Sequence, residues 1–485
     1  MDRRVVITGM GAITPVGNTA EKSWEALVAG TCGIDTITAF DTTGFRVTVA
    51  AEVKGFDPVE ALGKPDTLHN DRNVQFALVA SDEAMKSSGL DAEGAIDPER
   101  LGVYVGSGVG GIGTTEAQVT RYDQSGARKV SPFFVPMMIA NMATGQVSIR
   151  HHALGPTLPV VTACATSTNA IGEAYRAVRY GYADAILAGG TEAAIVPVSI
   201  AGFTNCRALT TNPDPATACR PFDANRDGFV MGEGACILVL EELEHALARG
   251  ANIVAEVCGY GNTADAYHIT SPDPTAGGIT RAIKQAVNES GMDASEGLYI
   301  NAHGTSTKLN DKTETMGIKQ ALGKKAAHAA HVSSTKSMTG HMLGATGAVE
   351  AMACACALRD SVVPPTIGLA TPDPDCDLDY TPGHSVPFDG KWAMSTSLGF
   401  GGHLLLIATM LGVRLVLGLR HTALACHVTC NKAMHQKVGI TADRRSKMGV
   451  ILKSQPVVTD IFCTVLSTSH RAYSHGLDEC CLGLI

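Results

Sequence analysis

The chain has no apolar run long enough to cross a bilayer. Its longest, Leu404 to Leu419, spans 16 residues and contains Arg414, against the roughly 20 that a membrane helix requires. It also lacks an excess of positive charge: the formal net charge is −9, which argues against nucleic acid or an anionic membrane as the main partner. Fourteen cysteines in 485 residues are too few for a disulfide scaffold, and most lie in apolar runs such as Ala351-Met-Ala-Cys-Ala-Cys-Ala357. They read as reduced, buried thiols of a cytosol-like compartment. Aromatics make up only 5% and charged residues 18%; with no low-complexity tract, this profile excludes disorder, collagen and coiled coil. No secretion signal is expected either. Arg3-Arg4 and Val5-Val-Ile-Thr8 are interrupted at once by Gly9, Gly11 and Pro15, the pattern of a first strand running into a glycine turn. What is present is 45% hydrophobic residues, enough for one large core or two, and 52 glycines against 21 prolines, a sign of close backbone approaches.

Short β-branched segments alternate with longer helical patterns, which predicts an α/β chain with a largely parallel sheet. Strands are expected at 4–8, 102–105, 158–162, 185–188, 236–241, 254–260 and 298–302, and helices at 19–29, 73–88, 166–180, 275–290, 312–322 and 345–358. Arg3-Arg-Val-Val-Ile-Thr-Gly-Met-Gly-Ala12 and Ala251-Asn-Ile-Val-Ala-Glu-Val-Cys-Gly-Tyr-Gly-Asn262 echo each other. Each places a strand before Gly-x-Gly, so each can open one half of a duplicated unit split near residue 250. After His403 the texture changes. Residues 404–485 hold nine Lys or Arg and four Asp or Glu, a charge of +5, leaving −9 − 5 = −14 for residues 1–403. This segment reads as appended or out of frame more than as a domain.

Three motifs are weak. Gly106-Ser-Gly-Val-Gly-Gly111 satisfies G-x-G-x-x-G, but Thr114-Thr-Glu-Ala-Gln-Val-Thr-Arg-Tyr122 after it is polar and loop-like, whereas a dinucleotide site needs a helix to open there. Asp223-Ala-Asn-Arg-Asp-Gly228 starts like a calcium loop, but its twelfth position is Gly234, where a bidentate Glu is required. Cys426-His427 and Cys430, near His421 and His435, lack the second ligand pair at defined spacing that a zinc finger needs.

The strongest local signal is Leu158-Pro-Val-Val-Thr-Ala-Cys164-Ala-Thr-Ser-Thr. It ends a strand in a thiol against a helix N-terminus, whose free N–H groups favour thiolate and bind an oxyanion. Leu298-Tyr-Ile-Asn-Ala-His303-Gly-Thr-Ser-Thr307 ends another strand in a histidine, and Val332-Ser-Ser-Thr-Lys336-Ser-Met-Thr-Gly-His341 sets a lysine and a second histidine in a loop leading to a helix. A cysteine with two such histidines suits acyl transfer through a thioester, with Cys/His hydrolysis as the competing reading.

These segments, with Ser131-Pro-Phe-Phe-Val-Pro136, Arg220-Pro-Phe-Asp223, Arg226-Asp-Gly-Phe-Val230, Asp265-Ala-Tyr-His-Ile-Thr-Ser-Pro272 and Gly399-Phe-Gly-Gly-His403, resemble the β-ketoacyl-acyl-carrier-protein synthases of the thiolase superfamily. The likeness is greatest to the type II elongating enzyme and covers about five-sixths of the chain, from Val5 to His403. It implies a five-layered αβαβα sandwich of two duplicated halves: 1–250 with the nucleophile, 251–410 with the His and Lys residues, and an unmatched tail, 411–485, expected to be poorly ordered or aberrant. It implies Cys164 as the acyl-accepting nucleophile, and His303 and His341 as the pair that polarises a malonyl thioester during decarboxylation. Lys336 supports the histidines, with Glu350 as its buried partner. The N–H groups of Cys164 and Phe400 form an oxyanion hole. Phe400 also gates the acyl pocket, facing a mobile loop from Asp265 to Thr270. Thr305 and Thr307 contact pantetheine, and Val109, Phe134 and Phe203 wall an acyl tunnel, Phe134 near a partner subunit.

The resemblance further implies fatty-acid chain elongation in the cytoplasm or in an organelle's stroma or matrix, with no cofactor and no metal. It implies an acyl carrier protein as partner in acyl and malonyl forms, a basic patch at the pocket mouth to meet it, and a homodimer; no nucleic acid and no membrane are implied. Alternatives are a polyketide ketosynthase and a non-catalytic chain-length subunit, the latter disfavoured by the presence of Cys164. Two departures stand out. Thr396-Ser-Leu398-Gly-Phe-Gly-Gly402 replaces the family's Asn-Ser-Phe-Gly-Phe-Gly-Gly, which loosens the packing expected under Phe400, and Lys308 stands where Pro is usual.

Overall fold

The computed structural model describes residues 3–410; the tail at 411–485, with the Cys426/His427/Cys430 zinc candidate, lies outside the described residues. Nine strands form one mixed sheet: β1 (Val5–Ile13), β2 (Leu101–Gly106), β3 (Ala185–Glu192), β4 (Gly234–Glu242), β5 (Ala255–Ala264), β6 (Leu298–Asn301), β7 (His331–Ser333), β8 (Trp392–Gly399) and β9 (His403–Met410). Their order is β2-β3-β4-β1-β5-β9-β8-β6-β7. The expectation of a largely parallel sheet is corrected. Only β2/β3, β8/β6 and β6/β7 run parallel; β4 and β9 turn back antiparallel beside β3 and β8.

The order reads as one pattern used twice. In both blocks a parallel pair (β2/β3, β6/β8) is followed by two antiparallel neighbours (β4 and β1, β9 and β5). Within the sheet the blocks join through Val5–Ile7 of β1 and Ala255–Val257 of β5, paired so that Val5 faces Val257 and Ile7 faces Ala255. Six helices position the site: α1 (Arg72–Ser88), α2 (Ile112–Ser125), α3 (Thr166–Arg179), α4 (Gly277–Ser290), α5 (Lys308–Leu322) and α6 (Thr346–Asp360). Helix α1 packs on the first block and α4 on the second, while α3 and α6 touch strands of both. The layers are therefore helix, sheet, helix, sheet, helix: the α/β sandwich expected.

The Gly-x-Gly echo has a steric cause. A Cβ on Gly11 would lie 2.0 Å from the Ala80 carbonyl oxygen of α1, and one on Gly261 would lie 2.0 Å from that of Ala282 on α4. Gly9 and Gly259 meet Ala84 and Ala286 in the same way, at 2.4 and 2.3 Å. Only glycine lets each helix backbone lie this close to its strand. Side chains repeat the pattern too: Glu83 accepts from the Ala12 N–H at 2.9 Å, and Gln285 from that of Asn262 at 3.0 Å.

Several expected elements differ. Residues 158–162 do not form a strand. Its start meets β2 through the Thr157–Val103 bridge and the Leu158 N–H to the Val103 carbonyl, and Pro159 has no N–H to continue a ladder. Thr114 to Tyr122 is not loop but lies in α2; its polarity reflects exposure, as no α2 residue is buried. The sequence reading missed β7 and β8, and Leu404 to Thr409 lie in β9. Arg226, fully buried in the calcium-like loop, binds Asp373 at 2.6 Å and the carbonyls of Thr307 and Lys308 at 3.1 and 3.0 Å, so the loop is built round an internal cation.

Candidate active site

Cys164 sits in a one-turn 3₁₀ segment, Ala163–Ala165, between the edge segment and α3. Its predecessor Ala163 is held at φ 51°, a left-handed backbone that a non-glycine residue adopts at a cost. The turn is secured by the Thr166 hydroxyl, which donates to the Ala163 carbonyl at 2.7 Å and accepts from the Thr162 N–H at 2.9 Å. The backbone N–H groups of Phe400 and of Cys164 itself point at the sulfur, and with the Lys336 charge they pull the thiol toward ionisation. Burial opposes them, with the nearby Glu192 carboxyl adding to it, and wins, so the thiol is pushed up to about 12. The helix end favours thiolate, as its position in the sequence suggests, yet the resting group is a neutral thiol.

The two histidines arrive from the other block. His303 follows β6, and its turn is clamped by Glu314 of α5, a fully buried carboxylate that accepts from the His303 N–H at 2.7 Å, the Gly304 N–H at 2.8 Å and the Thr396 hydroxyl at 2.6 Å. His341 lies on the loop before α6, and its Nδ1 is 3.1 Å from the Thr346 hydroxyl. With that hydroxyl donating, Nε2 carries the proton and is the nitrogen free to donate. The two rings stand edge to face, centroids 5.3 Å apart. Burial and the nearby Lys336 hold both well below the usual imidazole range, so both are neutral near pH 7. The His303 Nδ1 is buried without a hydrogen-bond partner.

Lys336 is buried and paired with Glu350 through Oε1. Burial pushes the Glu350 carboxyl up to about 7 against the pull of Lys336. Of the two, Lys336 acts on both histidines through its charge.

Cys164, His303, His341, Phe400, Asp265, Thr270, Thr305 and Thr307 open on one pocket of about 500 Å³. Residues 2–246 match the family described as Beta-ketoacyl synthase, N-terminal domain, and residues 254–370 match Beta-ketoacyl synthase, C-terminal domain. The chain is 53% identical over 403 residues to a 3-oxoacyl-[acyl-carrier-protein] synthase 2 of Staphylococcus aureus, covering 83% of this chain and 97% of the relative. It belongs to the β-ketoacyl synthase family. A 3-oxoacyl-[acyl-carrier-protein] synthase 2 of Synechocystis is 51% identical over 407 residues, covering 84% and 97%. Among solved structures, a β-ketoacyl synthase from Burkholderia phymatum superposes with TM-score 0.78 at 34% identity, covering 84% of this chain and 99% of that one. A type II polyketide ketosynthase in complex with its acyl-carrier protein gives TM-score 0.79 at 33% identity with the same coverage.

In this β-ketoacyl synthase Phe400 is half-buried and packs toward Phe203, centroids 6.3 Å apart. The loop facing it is pinned at both ends: the Asp265 N–H donates to the Gly402 carbonyl at 2.9 Å, and the Gly401 N–H to that of Ile269 at 2.8 Å. The Thr305 and Thr307 hydroxyls are 2.9 Å apart. Three expected tunnel residues do not line the pocket. Phe203 packs with the apolar cluster that contains Cys164, Val109 is exposed, and Phe134 is half-buried on a separate short helix. The pocket lining includes Arg207 and Lys308 beside Asp227 and Asp265, so it is mixed in charge. Sequence reasoning also passed over Phe229, which lines the pocket edge-on to His341 at 5.0 Å; its only sequence signal is its place in the Arg226-Asp-Gly-Phe-Val motif. Glu192 and Glu314 left no signal, since nothing local marks a carboxylate destined for burial. Among the described residues no helix is long and apolar enough to cross a membrane.

Proposed function

We propose that this chain performs the decarboxylative Claisen condensation of fatty-acid elongation, joining an acyl group and a malonyl unit that both arrive as acyl-carrier-protein thioesters. The observation that carries this is the convergence of one thiol and two neutral imidazoles, one with an unpartnered Nδ1, on a single pocket. In the first step the Cys164 sulfur attacks the acyl thioester carbonyl, and the carrier thiol departs with the proton. Because the resting thiol is neutral, the proton moves with the transfer. In the second step the malonyl C–C bond breaks and CO₂ leaves. Its electron pair passes to an enolate whose oxygen is met by the histidine N–H donors, an arrangement preorganised in a dry site. That carbanion attacks the Cys164 thioester. The oxyanion, held by the N–H groups of Cys164 and Phe400, collapses to the β-ketoacyl carrier, and the released thiolate takes up a proton. Neutral imidazoles suit this role, since a protonated pair would repel Lys336. Cys164 carries the acyl group and CO₂ loss drives bond formation, so no cofactor takes part in these steps.

The two sheet blocks correspond in this reading to halves meeting near residue 250, and the pocket lies where they meet. The carrier approaches over Arg207, Lys308 and Thr270, and the relatives, bacterial synthases, support a cytoplasmic setting. Exposed Val119, Tyr122, Phe133, Val135, Leu158 and Val161 support self-association as a homodimer. The solved polyketide neighbours keep a ketosynthase of polyketide assembly as the second reading. The test is malonyl-carrier decarboxylation and condensation with acyl-carrier thioesters of graded length, using the unaltered protein beside Cys164→Ala. Condensation lost with decarboxylation retained supports the mechanism, and the length profile decides between the pathways. Free acid released without malonate would instead reveal a hydrolase.

A further inference from the structure

The turn that carries Cys164 has a counterpart in the second block. Leu343–Ala345 is again a single 3₁₀ turn, its first residue Leu343 is again left-handed at φ 44°, and α6 again follows from a threonine, Thr346. Gly344 occupies the place of Cys164, and its N–H is the twin of the one that faces the sulfur. That N–H is not open. It donates to Oε2 of Glu192 at 2.9 Å, and the same oxygen accepts from the Gly108 N–H at 2.8 Å. The other oxygen accepts from the Ser107 hydroxyl at 2.7 Å and the Val109 N–H at 3.3 Å. Glu192 ends β3 and is fully buried. Neither glycine tolerates a side chain: a Cβ on Gly344 or on Gly108 would lie 2.7 Å from that same Glu192 oxygen.

We propose that Glu192 is a positioning residue, a buried carboxyl group that fills the second anion hole of the duplicated fold and ties the His341 loop to the Ser107–Val109 loop. The connection to chemistry is short. Glu192 fixes Gly344, Gly344 stands two residues before Thr346 in the same turn-to-helix segment, and the Thr346 hydroxyl orients the His341 ring. The glycine-rich loop that imitates a nucleotide site is thus already occupied, its donors taken by a carboxylate of the same chain. This role rests on the condensing activity proposed above.

The experiment measures malonyl-carrier decarboxylation by the full chain and by Glu192→Ala, each with and without added acetate, the fragment that the substitution removes. The variant should lose roughly tenfold or more in kcat with KM within about twofold. Acetate should restore much of that loss while leaving the unaltered protein unchanged. A folded Glu192→Ala with full decarboxylation overturns the assignment. So does a loss that acetate does not reverse while Tm falls, which marks a purely structural carboxylate. If Glu192→Ala does not fold, Ser107→Ala removes one donor; a drop of about twofold to fivefold in kcat at constant KM is expected, and no change overturns the proposal. The unaltered protein separates the two readings. If it does not decarboxylate, the condensing reading falls and the role of Glu192 falls with it, whereas normal activity there with an unaffected Glu192→Ala sinks only the latter.

Discussion

The Cys164 turn and the Gly344 turn share a backbone and differ in what meets their N–H groups. Both begin with a strained left-handed residue, both feed a helix through a threonine, and those helices pack together between the two sheet blocks. At the first turn the Cys164 N–H faces a thiol that opens on the pocket; at the second the Gly344 N–H is taken by the buried Glu192. On the readings proposed above, the duplicated fold supplies two anion holes, one kept for a reacting oxyanion and the other spent on rigidity. The threonines diverge in the same sense. Thr166 holds its own turn, whereas Thr346 reaches back to a histidine.

The largest expected effect breaks the pair at its open member. Cys164→Ala should abolish condensation, by roughly 10⁴-fold or more, while malonyl-carrier decarboxylation continues because its donors come from the other block. Loss of both activities together would contradict the division of labour. Next come the matched glycines. Gly11→Ala and Gly261→Ala each drive a methyl into a helix carbonyl, so each should cost roughly 3 kcal/mol in urea unfolding, and the two costs should agree. A large difference would show that the two close helix–strand packings are not equivalent.

Alkylation of Cys164 by iodoacetamide sharpens the comparison electrostatically. A thiol pushed up to about 12 is almost wholly protonated near neutrality, so its rate should rise about tenfold per pH unit, or about a hundredfold from pH 7 to pH 9, without a plateau. A plateau near pH 8 would mean that the N–H groups and Lys336 outweigh burial. The smallest effect concerns the diverged threonines. Thr346→Val strands the His341 Nδ1 and should slow decarboxylation about tenfold, while Thr166→Val should lower stability by about 1 kcal/mol and leave decarboxylation within about twofold. Equal kinetic effects from both would remove the asymmetry.

What the chain discloses by itself is what depends on near neighbours. Gly9, Gly11, Gly259 and Gly261 announce close helix–strand approach because a missing Cβ is a local property, and the pattern repeats within ten residues of each strand start. Cys164, His303, Lys336 and His341 are legible for a similar reason: each sits at a strand end or loop whose small and hydroxyl residues mark a tight turn. The tertiary structure alone decided which polar groups those turns face. Glu192 meets Gly108 across 84 positions and Gly344 across 152, and no local spacing encodes such partners. The same holds for Glu314, whose surroundings on α5 look like any helix, and for α2, whose exposure made a helix read as a loop. Strand polarity and the short β7 also wait on assembly, since the direction in which a strand is paired depends on which neighbours the finished sheet supplies. Local sterics wrote the turns, and long-range burial chose which of the two holes stayed open.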